Sequence, residues 1–317
     1  MDLNRYIITG HGLTATFTEW GAALVDLRLD GHDAPLVLGL ADLDDYAAGH
    51  SNYMGATAGR FANRIGDARF TLGGTTYHLD PNFQDRHSLH GGSRGTGKRV
   101  WTVADHRDDS VTFNIALADG EMGYPGAMQI SAAFTCAPDA TLRIQYRATT
   151  DAPTICNLAH HTYWNLDGSN DISRHYLTVK ADRYTPVDDG MIPIGVASVA
   201  GTEFDLRAGR MLPGAGLLDH NLCLSDARVA LRDVAVLHAR GLSMTVATTE
   251  PGLQVYDGAK LNTQVPGLDG RTYRAHAGVA LEAQNWPDAP NHDDFPGAVL
   301  RPGETYEQTT TFSFEKD

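Results

Sequence analysis

The sequence predicts an all-β protein, built as a large antiparallel β-sandwich. Three observations carry this: apolar and polar residues alternate with a period of two, glycine-rich turns separate the alternating runs, and helical periodicity is nearly absent. Turns fall at Leu29-Asp-Gly31, Leu72-Gly-Gly74, Ala118-Asp-Gly120 and Leu268-Asp-Gly270. Residues 41–48 read as a short helix capped by Asp42. Further on, Met128, Ile130, Ala132, Phe134 and Cys136 alternate with Gln129, Ser131, Ala133 and Thr135, which predicts a strand with one buried face. Leu142, Ile144, Tyr146 and Ala148 then alternate with Arg143, Gln145 and Arg147. Near the C-terminus Tyr306, Gln308, Thr310, Phe312 and Phe314 share one face, and Glu307, Thr309, Thr311 and Ser313 the other. No linker, low-complexity run or shift of composition marks a boundary, so residues 1–317 are expected to form a single domain.

Bulk properties narrow the function. A formal charge of −14 at pH 7 argues against nucleic acid and against an anionic membrane surface, both of which call for clustered Lys and Arg. A neutral small molecule suits this balance. The three cysteines, Cys136, Cys156 and Cys223, are far apart and sit among apolar residues, so buried free thiols are expected. The N-terminal residues lack the basic and apolar regions of a secretory signal, and no apolar run has the length of a transmembrane helix. A cytoplasmic protein is expected.

Val279-Ala-Leu-Glu-Ala-Gln284 reads as a buried strand. Val279, Leu281 and Ala283 share one face; Ala280, Glu282 and Gln284 share the other. The strand ends at a proline-rich turn, Asn285-Trp-Pro-Asp-Ala-Pro290. A carboxylate with apolar neighbours at a strand end is a candidate general base, because desolvation and nearby charges tune its proton affinity. A Glu on the solvated face of an edge strand is the plainer alternative.

Other segments carry polar residues that composition does not require. Gly55-Ala-Thr-Ala-Gly-Arg-Phe-Ala-Asn-Arg-Ile65 offers Arg60 and Arg64 as always-charged donors, or equally a basic turn paired with surface acids. In Asp85-Arg-His-Ser-Leu-His-Gly-Gly92, the glycines after His90 let a ligand approach the backbone, although turn histidines are also common without function. His160 and His161 point to opposite faces of an extended strand, so they do not chelate one ion together, and no His or Cys spacing suits zinc. Asp219 opens the apolar strand Leu218-Asp-His-Asn-Leu-Cys-Leu224, a position that a simple turn residue also fills.

Taken together, these stretches resemble the aldose 1-epimerases, or galactose mutarotases. The matching pieces are Gly59-Arg-Phe-Ala-Asn-Arg-Ile65, Leu89-His-Gly-Gly92 and Asp119-Gly-Glu-Met-Gly-Tyr-Pro-Gly126. To them are added His161-Thr-Tyr-Trp-Asn-Leu166, Asp219-His-Asn221, Leu281-Glu-Ala-Gln-Asn-Trp-Pro-Asp-Ala289 and Leu300-Arg-Pro-Gly-Glu-Thr-Tyr306. They occur in family order and span nearly the whole chain.

The resemblance implies a galactose mutarotase-like supersandwich with an open cleft for one monosaccharide, no cofactor and no metal. It implies Glu282 as the general base, His161 rather than His160 as the general acid, and His90 as an aid at the sugar's oxygen atoms. Asn63, Arg64, Asp219 and Gln254 match family positions that hold sugar hydroxyls. Such a reaction exchanges anomers of a hemiacetal by taking the proton from O1, protonating O5 and breaking the C1–O5 bond, so it needs a base and an acid together. Glu282 and His161 are therefore expected on opposite sides of that bond, facing each other across a sugar-sized cleft. Gln284, on the face of Glu282, is expected to orient the carboxylate or bind the sugar.

Some residues depart from the family pattern. Met122 replaces a frequent Glu, Asp257-Gly-Ala-Lys-Leu261 replaces a Thr/Ser-Gly-Asn-Phe-Leu-like stretch, and His160 stands where Asn is frequent. None touches the acid or base, but the second bears on sugar preference if that loop borders the cleft. A glycoside hydrolase using Glu282 with Asp219 is an alternative that requires a defined carboxyl separation. A sugar-binding protein without catalysis is another, which has no need of an acid and a base together. A preference for phosphorylated sugars is disfavoured by the lack of a further basic cluster. The expected partner is a monosaccharide, and the expected assembly a monomer or homodimer.

Overall fold

The computed structural model describes residues 3–51, 53–214 and 218–316. Its largest element is a nine-stranded sheet, which runs Arg210–Met211, Tyr176–Val179, Arg232–Ala239, Leu242–Thr248, Tyr306–Lys316, Thr141–Thr150, Met128–Ala137, Ser110–Leu117, Thr102–His106. Neighbouring strands are antiparallel throughout. The predicted alternation holds: Met128, Ile130, Ala132, Phe134 and Cys136 are buried, as are Leu142, Ile144, Tyr146 and Ala148, while Arg143, Gln145 and Arg147 are exposed. Register explains why one face stays apolar, since Phe134 lies opposite Ile144 and Leu142 opposite Phe312.

A second, six-stranded antiparallel sheet runs Tyr163–Trp164, Val279–Gln284, Gly252–Tyr256, Asp219–Cys223, Arg183–Tyr184, Ala197–Ser198. Leu253, Val255, Val279 and Leu281 from this sheet join Ile130, Phe134, Leu142 and Phe312 in one apolar cluster. The three-stranded sheet Tyr6–Gly10, Leu13–Thr18, Ala23–Leu29 adds Leu13, Phe17 and Leu27 to the same cluster. Stacked sheets sharing an apolar interior are a sandwich. Fully burying each such side chain contributes about 1.5–3 kcal/mol. All three cysteines are buried and free, and burial pushes their thiols up to about 11 at Cys136 and about 12 at Cys156 and Cys223, so they are inert at neutral pH. Among the described residues no helix is long and apolar enough to cross a membrane.

The turn signals are also met. Arg69–Leu72 and Thr75–His78 form a hairpin whose two linking residues, Gly73 and Gly74, have φ of +59° and +81°. Two successive positive φ values are what such a tight hairpin demands and what glycine supplies without strain. The expected cap at Asp42 is corrected by one residue. The helix spans Asp44–Ala47 and its N-cap is Leu43, already at φ −70°, ψ −29°. Asp42 lies outside it, and its Oδ1 accepts from the Asp44 amide at 3.0 Å. Because backbone at residue 43 has already turned helical, the Asp carboxylate closes a local turn instead of capping the first helical amides.

Candidate active site

All six residues of Val279–Gln284 are buried, although only one face meets the sandwich core. The other face carries Glu282, 2 % exposed, to the floor of a cavity of ≈ 560 Å³. That size is within the roughly 300–1,000 Å³ typical of small-molecule sites. Asn63, Arg64, His90, His161, Asp219 and Glu282 all line it. Gln254 does not, and lies beneath Asp219.

Loop geometry brings the distant segments together. Arg64 and Ile65 pair with Leu89 and Ser88, and just beyond this ladder the Asn63 and His90 segments bond reciprocally. The His90 amide donates to the Asn63 carbonyl at 3.0 Å, and the Asn63 amide donates to His90 Nδ1 at 3.2 Å. Both residues sit in left-handed backbone, φ 64° and 50°, a conformation costing non-glycine residues about 1 kcal/mol or more and found preferentially at functional sites. The bond to Nδ1 fixes the imidazole tautomer, so His90 keeps its proton on Nε2 and acts as a donor.

His161 follows the short strand Ala159–His160 and is held by two backbone bonds, His161 N to Ala56 O at 2.9 Å and Gly55 N to His161 O at 3.0 Å. Its ring is enclosed by Tyr163, His90 and Tyr53, at centroid distances of 5.1, 5.3 and 6.0 Å. His160 points the other way, as expected from strand geometry. It bonds Thr162 Oγ1 at 2.6 Å and packs near Phe134 and Phe312.

His161 Nε2 lies 3.6 Å from Glu282 Oε1. The expectation that these two face each other across a sugar is therefore corrected: they are neighbours on the cavity floor, with no room for a ring between them. Register accounts for this: Tyr163 lies opposite Ala280, and the same antiparallel register carried two residues along each chain puts His161 beside Glu282.

Electrostatics give the pair a single proton. Burial, helped by Asp219 and opposed by Arg64, pushes the Glu282 carboxyl up to about 8. Burial brings His161 down to about 4, with Asp219 opposing. At neutral pH the 3.6 Å contact thus joins a protonated carboxyl to a neutral imidazole and is no ion pair. His90 is held well below its usual range, mainly by burial and then by His161, Arg64 and Lys98.

Asp219 is held on both oxygens. Arg64 reaches Oδ2 at 3.3 Å and Gln254 Nε2 donates to Oδ1 at 2.6 Å. Arg64 also donates to Asn63 Oδ1 at 3.2 Å and lies over the Phe83 ring at 4.7 Å. This clamp leaves Asp219 a fixed acceptor and a poor partner for Glu282 in paired-carboxylate hydrolysis. Arg60 has a different task. Its guanidinium donates to the carbonyls of Ala118, Pro125 and Gly126, tying down the turn that contains Met122. Met122 does not line the cavity, whereas Lys260 and Leu261 do, so the departure at 257–261 borders the cleft.

Could the cluster hold a metal? Donor atoms of His90, His161 and Glu282 lie within 4.8 Å of one another. A cation needs an unprotonated nitrogen from each histidine, and the Asn63 amide already takes Nδ1 of His90 while leaving the proton on Nε2. The arrangement favours donating hydrogen bonds to oxygen over binding a cation.

Sequence reasoning missed Tyr53, Phe83, Tyr163, Tyr256 and Lys98, which line the same cavity. Tyr163 was within reach, because a period of two from His161 puts it on the same face. Tyr53, at φ 61° in a loop, carries no such signal.

A β-sandwich whose cleft is floored by a buried carboxyl–imidazole pair and walled by fixed donors and acceptors defines a class: small-molecule enzymes that work by proton transfer. The family model for aldose 1-epimerase matches residues 5–313. The galactose mutarotase of Rattus norvegicus is 40% identical over 98% of this chain and 94% of its own length. The aldose 1-epimerase of Escherichia coli strain K12 is 36% identical over 96% and 92%. Among solved structures, an aldose epimerase homologue from C. elegans superposes with a TM-score of 0.92 at 32% identity, covering 99% of both chains. The galactose 1-epimerase from Lactobacillus acidophilus gives 0.84 at 26%, over 99% of this chain and 98% of that one. The chain belongs to the aldose 1-epimerase family.

Proposed function

We propose that this protein interconverts the α and β anomers of free aldoses, with galactose and glucose as substrates. The observation that carries the reading is the 3.6 Å juxtaposition of His161 Nε2 and Glu282 Oε1 on the cavity floor, in a chain of this family. Glu282 takes the proton from O1 while His161 gives one to O5, and the C1–O5 bond opens. Rotation about C1–C2 presents the other face of the aldehyde, and closure runs the same transfers backwards. The pair needs one proton in total, which is the number it holds between about pH 4 and about 8. Moving that proton from Glu282 to His161 when sugar binds is a shift over one short contact.

His90, a fixed donor, steadies a sugar oxygen. Asn63, Arg64 and Asp219 hold hydroxyls, and Gln254 supports Asp219 from beneath. Lys260 and Leu261 contribute to sugar preference from the cleft rim. Residues 1–317 work as one catalytic domain with a monosaccharide as partner, and unpaired buried thiols suit a reducing, cytoplasmic setting. Polarimetry tests the activity: pure α-galactose should equilibrate faster with the protein than without it, with no sugar released from an aryl galactoside. Release from the glycoside without faster equilibration would instead support a hydrolase.

A further inference from the structure

The chain has a net charge of −14 and four lysines, Lys98, Lys180, Lys260 and Lys316. Two of the four, Lys98 and Lys260, come from distant segments and line the substrate cavity. Lys316 has another task, donating to the carbonyls of Asp30 and Gly31. In a chain so short of lysine, chance rarely brings two into one cleft. Holding the hydroxyls of a neutral sugar calls for donors and acceptors, and does not call for two added charges.

Nothing in the site cancels these charges. Among the described residues lining the cavity the acids are Asp219 and Glu282. Asp219 pairs with Arg64 at 3.3 Å. Glu282 and His161 share one proton and are neutral in total whichever of them carries it. No carboxylate among the described residues is in ion-pair contact with Lys98 or Lys260. The surplus is therefore positive, inside a protein that is negative as a whole.

Both lysines stand on fixed structure. Lys98 lies over the Tyr53 ring at 4.8 Å, and that ring is 4.7 Å from His90 and 6.0 Å from His161. The Lys260 amide donates to the Tyr256 hydroxyl at 2.8 Å. Its loop is locked by Asp257, whose Oδ1 accepts from the Ala259 amide at 3.1 Å and Oδ2 from the Leu218 amide at 3.3 Å. Asp257 and Lys260 both belong to the stretch that departs from the family pattern.

We propose that Lys98 and Lys260 adapt the cavity to aldoses bearing a carboxylate, the hexuronic acids, whose anomers the protein interconverts alongside those of neutral sugars. The proposal rests on the mutarotase reading of the site and names a further substrate class for it. The chemistry is unchanged, because C1 of a hexuronate is still a hemiacetal carbon and the carboxylate at C6 takes no part in the proton transfers. With O1 and O5 at the floor, the other ring substituents face the walls and the mouth. Lys98 and Lys260 are exposed, so their ammonium groups stand toward that mouth. Two flexible point charges suit a monoanion. A phosphate dianion is better held by a bidentate Arg, and Arg64 is already engaged by Asp219 and Asn63. In a protein whose net charge repels anions, a cleft of opposite sign also focuses the field that draws them in.

Polarimetry of α-galacturonate beside α-galactose tests this. For wild type, kcat/KM for galacturonate should at least equal that for galactose. The advantage should shrink between about 0.01 M and about 1 M salt, as the Debye length falls from about 30 Å to about 3 Å. In the double variant Lys98→Met, Lys260→Met, which keeps the stems and removes both charges, the galacturonate-to-galactose ratio of kcat/KM should fall about tenfold or more. Disturbed packing would slow both sugars alike, so an unchanged ratio in the folded variant would overturn the proposal. A lysine-dependent advantage for galactose 6-phosphate in place of galacturonate would overturn the hexuronate class. If wild type equilibrates galactose and not galacturonate, this inference fails and the mutarotase reading stands. If it equilibrates neither, that reading fails, and calorimetric titration still decides the charge preference: galacturonate should bind wild type more tightly than galactose does, and lose that advantage in the double variant.

Discussion

The strands Met128–Ala137 and Val279–Gln284 alternate alike in sequence, yet they bury opposite things. In the first, Ile130 and Phe134 face the core and Gln129 faces solvent. In the second, Leu281 and Ala283 face the same core, but Glu282 and Gln284 are as buried as their apolar neighbours. A polar residue on an outer strand is hydrated and nearly free of consequence. The same alternation under a covering layer of loops yields a carboxyl pushed up to about 8 and an imidazole brought down to about 4. What differs is what lies over the polar face, and that is decided by Gly55–Ile65 and Leu89–Gly92 segments far away in the chain.

Substitutions on the two strands should separate these roles. The largest effect is expected from His161→Gln, which removes the proposed acid yet keeps a polar side chain: kcat should fall roughly 10²–10⁴-fold, read by polarimetry, with the melting temperature little changed. Phe134→Ala in the outer strand should do the reverse. Its ring packs 4.5 Å from Phe17, and losing it should cost about 3–5 kcal/mol in denaturant unfolding while a folded sample keeps its specific activity.

Glu282→Gln should be set apart through the pH dependence of its stability. A carboxyl whose folded pKa is raised stabilises the fold below its unfolded pKa, and that contribution is lost as pH rises toward the folded value. From about pH 4.5 to about 8, wild type should therefore lose up to about 1.4 kcal/mol per pH unit relative to Glu282→Gln. Melting curves of the two proteins should converge near pH 4.5 and diverge by pH 8, the variant being the more stable. The smallest effect is expected from Gln129→Ala on the solvent face, within about 0.5 kcal/mol and without change in rate.

Much of this could be read from the chain. Alternation located the outer strands because one face of each is solvated, and Gly73-Gly74 located its hairpin because positive φ selects glycine. The site was legible only by resemblance, since nothing local distinguishes Glu282 from a surface Glu. Even then the sequence suggested that Glu282 and His161 flank the sugar, because spacing along a chain says nothing of distance across strands. Tyr53, Phe83 and Lys98 were invisible for the same reason: loops bring them to the cavity. The cap at Asp42 missed by one residue because Leu43 had already turned helical.

The central claim is that Glu282 and His161 share one catalytic proton on the cavity floor. It is tested most directly by the polarimetric equilibration of α-galactose with wild type and Glu282→Gln at pH 7. The account predicts a rate at least about 10²-fold lower for the variant, which keeps the shape and loses the base. Equal rates for the two folded proteins would contradict it.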